Sequence, residues 1–319
     1  MTWRDLVDGA LEATVVGSFT DVGYRVRSRV DGWSEPSPGS LTGRSVMVTG
    51  TTTGIGRATA LACARLGATV HTVGRDPERT ERAAAEVAAA VGGADVRPWI
   101  ADLGDLAAVA ALADGVVDAG VPIDTLVHNA GALLATRTVT PQGHEATFAT
   151  MVLGPTLLTE RLAPVLAATG RSIDPATGRV VFVSSGGMYL QGIDPGDPLG
   201  DDPGRYRGSI AYARAKRAQV ELARRWADRW PGVVVHAMHP GWAATPGVHE
   251  SLPRFERILG PWLRTPDAGA DTVVWLVSDP EPARTSGRFW LDRRARGVHR
   301  VPGTAPSIAN VDRLVTAID

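Results

Sequence analysis

A tyrosine and a lysine one helical turn apart are the residues of this chain best suited to acid-base chemistry. Lys216 is the only lysine in the sequence, and Tyr212 stands four residues before it. Residues at this spacing lie on one face of a helix, so the ammonium can sit beside the phenol and favour its ionised form. An arginine cannot replace such a lysine, because a guanidinium is bulky, planar and permanently charged. The alternative is a surface helix on which Tyr212 packs and Lys216 is solvated.

A glycine-rich turn is the second chemical feature. It follows the first Val-rich segment and reads Thr49-Gly50-Thr51-Thr52-Thr53-Gly54-Ile55-Gly56. Such glycines allow a tight turn and let a pyrophosphate approach backbone N–H groups at a helix N-terminus. The segment predicts a dinucleotide site, although it could be a mere turn and its spacing is not the usual GxGxxG.

The end of the second predicted strand bears on the choice of cofactor. It reads Gly74-Arg75-Asp76-Pro77. A carboxylate here commonly binds the ribose 2′-hydroxyl of NAD, whereas an arginine can bind the 2′-phosphate of NADP. Asp76 directly precedes Pro77, as expected of a helix N-cap followed by a first-turn proline. We therefore expect Arg75 to bind the phosphate and NADP(H) to be favoured, with NAD(H) as the alternative.

The elements that must position these residues alternate along the chain. Val-rich runs predict strands at 45–49, 69–74, 96–100, 125–128, 179–184, 233–239 and near 288–291. Helical segments lie at about 55–76, 77–91, 104–119, 141–168, 210–229 and 267–278, less their terminal turns. This alternation predicts an α/β fold with a Rossmann-type, doubly wound parallel sheet of about seven strands.

The chain divides into three predicted regions. Residues 1–43 form an N-terminal helical arm, residues 44–291 a single dinucleotide-binding and catalytic domain, and residues 292–319 a C-terminal tail with a short helix. The arm could lie on the protein, pack in an oligomer or rest on a membrane surface. Its mixed charges favour ordinary packing.

Composition narrows the classes of partner. The formal net charge is −1, so no global field attracts nucleic acid or an anionic membrane, and small molecules are the expected partners. Cys63 is the only cysteine, which excludes an intramolecular disulfide and fits a reducing compartment. We see no signal peptide and no apolar run of membrane-spanning length, and expect a cytoplasmic protein. His128, His236 and His239 lack metal-ligand spacing, so no metal site is predicted.

Further motifs follow later strands. Asp102-Leu103 follows the third strand and Asn129-Ala130-Gly131 the fourth, at the edge where such sheets bind ligands, although a helix cap and a tight turn are the alternatives. With TGxxxGIG, Ser184-Ser185, YxxxK and Pro240-Gly241, these motifs resemble the short-chain dehydrogenase/reductase family, in order, over about residues 44–291. Within it, the chain looks like the group called dehydrogenase/reductase member 12. The segments that carry this likeness are Val183-Ser184-Ser185-Gly186-Gly187-Met188, Tyr212 to Arg217, His239 to Gly247 and the N-terminal arm.

The resemblance implies roles for these residues. Ser185 holds the substrate oxygen, Tyr212 exchanges its proton, and Lys216 binds the nicotinamide ribose and lowers the phenol pKa. Adjacent strand residues point to opposite sides, so only one of Ser184 and Ser185 can face the cleft, and the family pattern favours Ser185. Thr245 is similar to a threonine that contacts the nicotinamide carboxamide or phosphate. The predicted cofactor-binding residues are Gly50, Thr51, Thr53, Gly54, Ile55, Gly56, Arg75, Asp102, Leu103, Asn129, Ala130, Gly131, Tyr212, Lys216, Pro240, Gly241 and Thr245.

One position departs from the family pattern. Met151 stands where the family usually has an asparagine that is associated with a helix distortion and a water path to the lysine. The other catalytic groups are present, so we expect an enzyme that interconverts an alcohol and its carbonyl compound. A nucleotide-binding scaffold or redox sensor with weak turnover is the alternative, suggested by Met151.

Two insertions beside the catalytic groups bear on the substrate. Segments 186–209 and 246–265 interrupt the regular alternation, and such insertions usually form lids or pocket walls. Their apolar side chains suggest a small apolar alcohol or carbonyl substrate, or simply loop packing. We also expect a homo-oligomer and allow for peripheral membrane contact. The apolar residues near this region are Met188, Tyr189, Leu190, Trp242, Leu252, Phe255 and Trp262.

Overall fold

An eight-stranded sheet forms the centre of the protein in the computed structural model, which describes residues 2–170, 178–251 and 253–318. Its strand order is β3-β2-β1-β4-β5-β6-β7-β8. Neighbouring strands from β3 to β7 are parallel, and β8 is antiparallel to β7. The strands are β1 (Ser45–Thr49), β2 (Thr69–Gly74), β3 (Val96–Ile100), β4 (Thr125–His128), β5 (Gly178–Val183), β6 (Val233–Met238), β7 (Phe289–Leu291) and β8 (Arg294–Ala295).

Helices cover both faces of the sheet. They are α1 (Trp3–Glu12), α2 (Val15–Phe19), α3 (Asp21–Asp31), α4 (Gly54–Arg65), α5 (Pro77–Ala90), α6 (Leu106–Asp118), α7 (Ala146–Phe148), α8 (Gly154–Gly170), α9 (Gly208–Arg225), α10 (Pro246–Ser251), α11 (Pro253–Leu259), α12 (Pro266–Ser278) and α13 (Ile308–Ile318). Helices α4 and α12 pack together over one apolar core, and α6, α8 and α9 lie over the other. The predicted doubly wound α/β fold is confirmed, with a short antiparallel strand added at its edge.

Local sequence explains where these elements begin and end. Every residue of β1, β5 and β6 is buried, as expected of Val-rich strands covered on both faces. Asp76 caps α5 by accepting a hydrogen bond from the Arg79 N–H at 2.9 Å, and Pro77 occupies the first turn.

One predicted helix is too long. Instead of running to about residue 76, α4 ends at Arg65, because Gly67, at φ 93°, reverses the chain into β2.

The helical run Ala146–Thr169 crosses the core beside the sheet. Among the described residues, it is the one helix long and apolar enough to cross a membrane by length and composition. Most of its apolar window is buried inside the protein, as in the core helix of a globular domain. A π-helical turn, Ala149–Leu153, separates α7 from α8 within this run.

The predicted N-terminal helical arm is present as α1, α2 and α3, and it packs on the body of the protein. No residue of α1 is buried. At the end of α2, by contrast, Phe19 is only 3% exposed. Ion pairs join the arm to the hairpin of β7 and β8, among them Arg294 with Asp31 at 2.6 Å. The arm therefore lies against the carboxyl end of β7.

Candidate active site

Hydrogen bonds join the turn after β1 to the turn after β4. The Thr49 hydroxyl accepts from the N–H groups of Asn129 and Ala130, both at 3.0 Å. The Asn129 amide donates to the carbonyl oxygens of Thr49 at 2.9 Å and Gly50 at 3.1 Å. These bonds fix the glycine-rich turn at the carboxyl edge of the sheet, where α/β proteins bind ligands.

The glycines of this turn allow backbone segments to approach closely. A methyl group on Gly56 would lie 2.2 Å from the Gly50 carbonyl oxygen and 2.4 Å from the Asn129 amide nitrogen. A methyl group on Gly50 would lie 2.8 Å from the Ala130 Cα. No larger residue fits at either position without displacing the turn.

The first turn of α4 fits the pyrophosphate of a dinucleotide. Thr53 is its N-cap, and the Thr53 side chain is exposed and makes no capping hydrogen bond. The Thr51 hydroxyl is buried and has no hydrogen-bond partner among the described residues. Ile55 follows, partly buried against Gly269 of α12. Free backbone donors at a helix N-terminus bind phosphate well, so the predicted residues suit the group they were assigned.

Arg75 and Asp76 lie at the carboxyl end of β2 and have different surroundings. Arg75 is exposed and makes no ion pair within the described part of the chain. The Asp76 carboxylate is engaged as the N-cap of α5. Arg75 is therefore the side chain free to meet a group bound beside β2.

Asp102 and Leu103 follow β3, and their side chains point to different places. Asp102 is exposed and accepts a hydrogen bond from the Gly104 N–H at 2.9 Å. Leu103 is buried in the core, and its carbonyl oxygen lies 2.1 Å from where a methyl group on Gly154 would be. Leu103 can face a cofactor only through its backbone.

Two hydroxyls meet at the carboxyl end of β5. The Ser185 side chain lies close enough to Tyr212 to lower the pKa of the phenol. Ser184 instead turns away and donates to the Lys216 carbonyl oxygen at 2.7 Å. Ser185 is therefore the serine beside the phenol.

Lys216 is buried beneath this pair. Its side chain is 3% exposed, and Nζ lies 5.6 Å from the centre of the Tyr212 ring. Nζ donates to the Val183 carbonyl oxygen at 2.7 Å. Burial lowers the pKa of Lys216 to about 7, because the charged form is poorly solvated.

In the protein chain without cofactor, burial is the main influence on the pKa of Tyr212. Burial raises the pKa of Tyr212, and the Ser185 side chain opposes that rise only in part. A lysine with a pKa of about 7 is only partly charged at neutral pH, and the expectation that Lys216 lowers the phenol pKa stays a prediction.

Met151 lies in the π-helical turn that ends α7, so the helix distortion is present without an asparagine. The Met151 sulfur is 3.0 Å from where a methyl group on Gly131 would be, and the Lys216 Nζ is 3.6 Å from the same point. The Met151 carbonyl oxygen accepts a hydrogen bond from the Gln219 amide at 2.8 Å. Sequence reasoning missed Gln219, although its position three residues after Lys216 on α9 was a signal.

The loop after β6 reaches the dinucleotide turn. A methyl group on Gly54 would lie 3.1 Å from the Thr245 Cγ2, so these predicted residues are neighbours. Gly241 donates its N–H to the His239 Nδ1 at 3.2 Å, and the Arg264 side chain packs directly against Gly241. Arg264 has no local motif and was also missed.

Side chains proposed for the substrate pocket divide into two groups. Met188 and Tyr189 lie in the core, and the Tyr189 hydroxyl donates to the Gly297 carbonyl oxygen at 2.9 Å, so they support the loop instead of lining an open pocket. Leu190 is 63% exposed and Trp262 51% exposed. Leu252 and the Phe255 side chain lie outside the described residues.

Two buried histidines, His128 and His236, form hydrogen bonds with other protein groups. His128 bonds to the Thr159 hydroxyl at 2.7 Å and His236 to the Pro282 carbonyl oxygen at 3.0 Å. No cluster of three metal-ligating side chains occurs in the part of the chain that the structure describes.

Comparison with known proteins identifies the class. A family model described as short chain dehydrogenase matches residues 44–194. Dehydrogenase/reductase SDR family member 12 of Bos taurus is 38% identical over 303 residues, which cover 94% of this chain and 93% of that protein. The chain belongs to the short-chain dehydrogenase/reductase family, and it is an oxidoreductase that acts between alcohols and carbonyl compounds with NAD(P)(H).

Two further likenesses extend this result. Retinol dehydrogenase 13 of Homo sapiens is 31% identical over 293 residues, covering 88% of this chain and 86% of that protein. The crystal structure of a short chain dehydrogenase from Shigella flexneri, complexed with NADP, superposes with a TM-score of 0.62 at 25% identity, covering 81% of this chain and all of that chain. The group-level resemblance seen in the sequence is confirmed by the first relative.

Proposed function

We propose that this enzyme uses NADP(H) to interconvert an apolar alcohol and its carbonyl compound, with Tyr212 as the acid/base. The observation that carries the proposal is that Ser185, Tyr212 and Lys216 lie together, beside the loop that holds Thr245 against Gly54. A substrate oxygen held by both hydroxyls would lie next to the end of the dinucleotide site. The cofactor, when bound, supplies or accepts the hydride.

Each side chain has a role that its surroundings allow. Ser185 orients the substrate oxygen by hydrogen bonding. Tyr212 gives its proton to that oxygen during reduction and takes it back during oxidation. Lys216 would hold the ribose of a bound cofactor, and it adds positive charge near the phenol when it is protonated.

The Tyr212 phenol carries its proton at neutral pH, because burial raises its pKa above the ordinary value of 10.0. The protonated phenol can act as an acid toward a carbonyl oxygen during reduction. Oxidation needs the phenolate and should therefore speed up as the pH rises.

Two observations support the finer assignments. Arg75 is exposed and unpaired within the described residues, while Asp76 is engaged at the N-cap, which favours a 2′-phosphate over a 2′-hydroxyl. Leu190 exposes an apolar side chain five residues after Ser185, which favours an apolar substrate. A related protein named as a retinol dehydrogenase fits that substrate class.

The test is a substrate screen with a matched active-site variant. Purified protein is mixed with NADPH or NADH and a panel of apolar aldehydes and ketones, and the absorbance of the reduced cofactor is followed. We expect turnover with NADPH, and at least about a hundredfold less in Tyr212→Phe, the size of a lost general acid. NADPH affinity, measured by tryptophan fluorescence, should fall far less than turnover in the variant. Cofactor binding without turnover on any substrate would instead favour the nucleotide-binding scaffold.

A further inference from the structure

The end of α2 reaches the catalytic loops although it belongs to the N-terminal arm. The Phe19 ring lies edge-on to the His239 ring, with centroids 4.3 Å apart, and 5.7 Å from the Trp242 ring. A methyl group on Gly186 would lie 2.8 Å from the Phe19 Cε2. Phe19 thus touches the residue after Ser185 and the residues on both sides of Pro240-Gly241.

Backbone hydrogen bonds connect the same segments. The Trp242 N–H donates to the Phe19 carbonyl oxygen at 2.7 Å. The Trp242 carbonyl oxygen accepts from the Arg264 N–H at 2.7 Å. Residues 239–242, which carry two predicted cofactor contacts, are therefore held partly by a segment more than two hundred residues away in sequence.

A buried charge cluster fixes the arm at this place. Arg27, Arg264 and Asp292 are each 1% exposed. Asp292 accepts from Arg27 at 2.6 Å and from both terminal nitrogens of Arg264, at 2.5 and 2.9 Å. In this cluster the Asp292 carboxylate lies between two guanidinium groups. Asp8 and Glu12 of α1 also form ion pairs with Arg27, each at 2.7 Å.

Arg264 links this cluster to the loop. It donates to the carbonyl oxygens of Ser18 at 3.1 Å and Thr20 at 3.2 Å, on either side of Phe19. Its side chain also lies where any side chain on Gly241 would have to go. A displacement of residues 18–20 would therefore free both Arg264 and Trp242.

We propose that the N-terminal arm is a positioning element of the active site, in which Phe19 and Arg27 hold residues 239–242 where the nicotinamide end of the cofactor meets the substrate. The identity of that site rests on the proposed function. Phe19 acts through the loop and does not itself touch the reacting atoms.

The chain offers a matched control for this proposal. Asp31 also ties the arm to the body, through two hydrogen bonds to Arg294 at 2.6 and 2.8 Å, but it makes no contact with residues 239–242. Phe19→Ala removes the contact with the loop, and Asp31→Asn removes a contact of the arm elsewhere. Phe19→Leu keeps most of the buried volume and gives a graded response if the alanine variant folds poorly.

The experiment measures NADPH affinity, kcat, KM for cofactor and carbonyl substrate, and thermal unfolding for the full-length protein and each variant. We expect Phe19→Ala to weaken NADPH binding about tenfold, or 1.4 kcal/mol, and to raise the cofactor KM in proportion. Phe19→Leu should show a smaller loss of the same kind. Asp31→Asn should lower the melting temperature without changing either quantity more than about twofold.

Two results would overturn the proposal: parental affinity and turnover in folded Phe19→Ala, or equal losses of affinity in Asp31→Asn. These outcomes are separate from failure of the proposed function. If the parent binds NADPH but reduces no carbonyl, the proposed function fails, and the affinities of the variants still decide the role of the arm. If the parent is active and Phe19→Ala matches it, only the role of the arm fails.

Discussion

The two halves of the proposed cofactor crevice are built in different ways. The nucleotide half, around β1, α4 and β2, is shaped by backbone contacts and small residues, such as Gly56 against the Gly50 carbonyl oxygen. The catalytic half depends on buried polar and charged side chains, Lys216 and Arg264 among them. A site shaped by backbone contacts is disrupted by added side-chain atoms more than by a change of charge. A site built from buried charges is disrupted when any ion-pair partner is removed.

This difference predicts which property each half loses when one of its residues is substituted. Changes in the nucleotide half should alter cofactor affinity and leave proton transfer intact. Changes in the catalytic half should alter turnover, its pH dependence or the stability of the fold. Four substitutions separate these effects.

Gly56→Ala should disable the nucleotide half. The added methyl group would meet the Gly50 carbonyl oxygen and the Asn129 amide, neither of which can move without opening the turn. We expect NADPH affinity to fall at least about a hundredfold, or 2.8 kcal/mol, by fluorescence titration. Gly115→Ala on α6 is the control, because its methyl group would meet nothing closer than 3.8 Å. Parental affinity in Gly56→Ala would show that the turn is not shaped by this contact.

Lys216→Arg should disable the catalytic half while preserving net charge. The planar guanidinium must displace Met151 or the Val183 carbonyl contact, and cannot fill the position of a compact ammonium. We expect turnover to fall at least about tenfold, or 1.4 kcal/mol in barrier. Overpacking should also cost about 1–3 kcal/mol of stability, measured by urea unfolding. Full activity would remove Lys216 from the proposed mechanism.

Arg75→Ala should change the preference for NADPH over NADH without changing kcat. The exposed guanidinium can pair with a 2′-phosphate, a charge-assisted contact that NADH cannot make. We expect NADPH affinity to fall about tenfold, NADH affinity to stay within about twofold, and kcat at saturating cofactor to hold. Arg79→Ala, another exposed arginine on the neighbouring helix, is the charge-matched control. Equal affinity of the parent for both cofactors would contradict the assignment.

Lys216→Met should make stability less dependent on pH. Because burial lowers the pKa of Lys216 to about 7 from 10.5, the unfolded chain holds a proton between these values that the folded protein lacks. The parent therefore gains stability as pH rises through that window, and this lysine contributes nothing to the slope below or above it. At pH 6 the variant should be more stable by about 1–4 kcal/mol, because no ammonium is buried, and the difference should shrink toward pH 10. Parallel curves for parent and variant would show that Lys216 titrates normally.

Local sequence was sufficient to place the strands and turns of the proposed nucleotide half. The strands are short Val-rich runs, and the functional residues follow them within a turn, so pattern and spacing locate them. The same holds for Asp76, whose role as N-cap follows from the proline after it. The end of α4 was misplaced, since the glycine signal at Gly67 was not used.

The catalytic half could be predicted only in part. Ser185, Tyr212 and Lys216 lie together, but the pKa values of Tyr212 and Lys216 depend on burial, which the sequence does not report. Phe19 and Arg264 bind partners more than two hundred residues away, and no short motif marks such pairs. The turn into β8 was missed because Asp292 and Arg293, at φ 54° and 53°, adopt a conformation usually signalled by glycine or asparagine.

The pairing of Arg27 with Asp292 also has a consequence for biosynthesis. The two residues are separated by 265 positions, so the arm leaves the ribosome long before the carboxylate that anchors it exists. At about 5–20 residues per second, the interval is roughly 13–53 s. During that time Arg27 lacks its native partner in the hairpin, so the nascent arm cannot make this buried ion pair. The first segment to be made is thus among the last to reach its place.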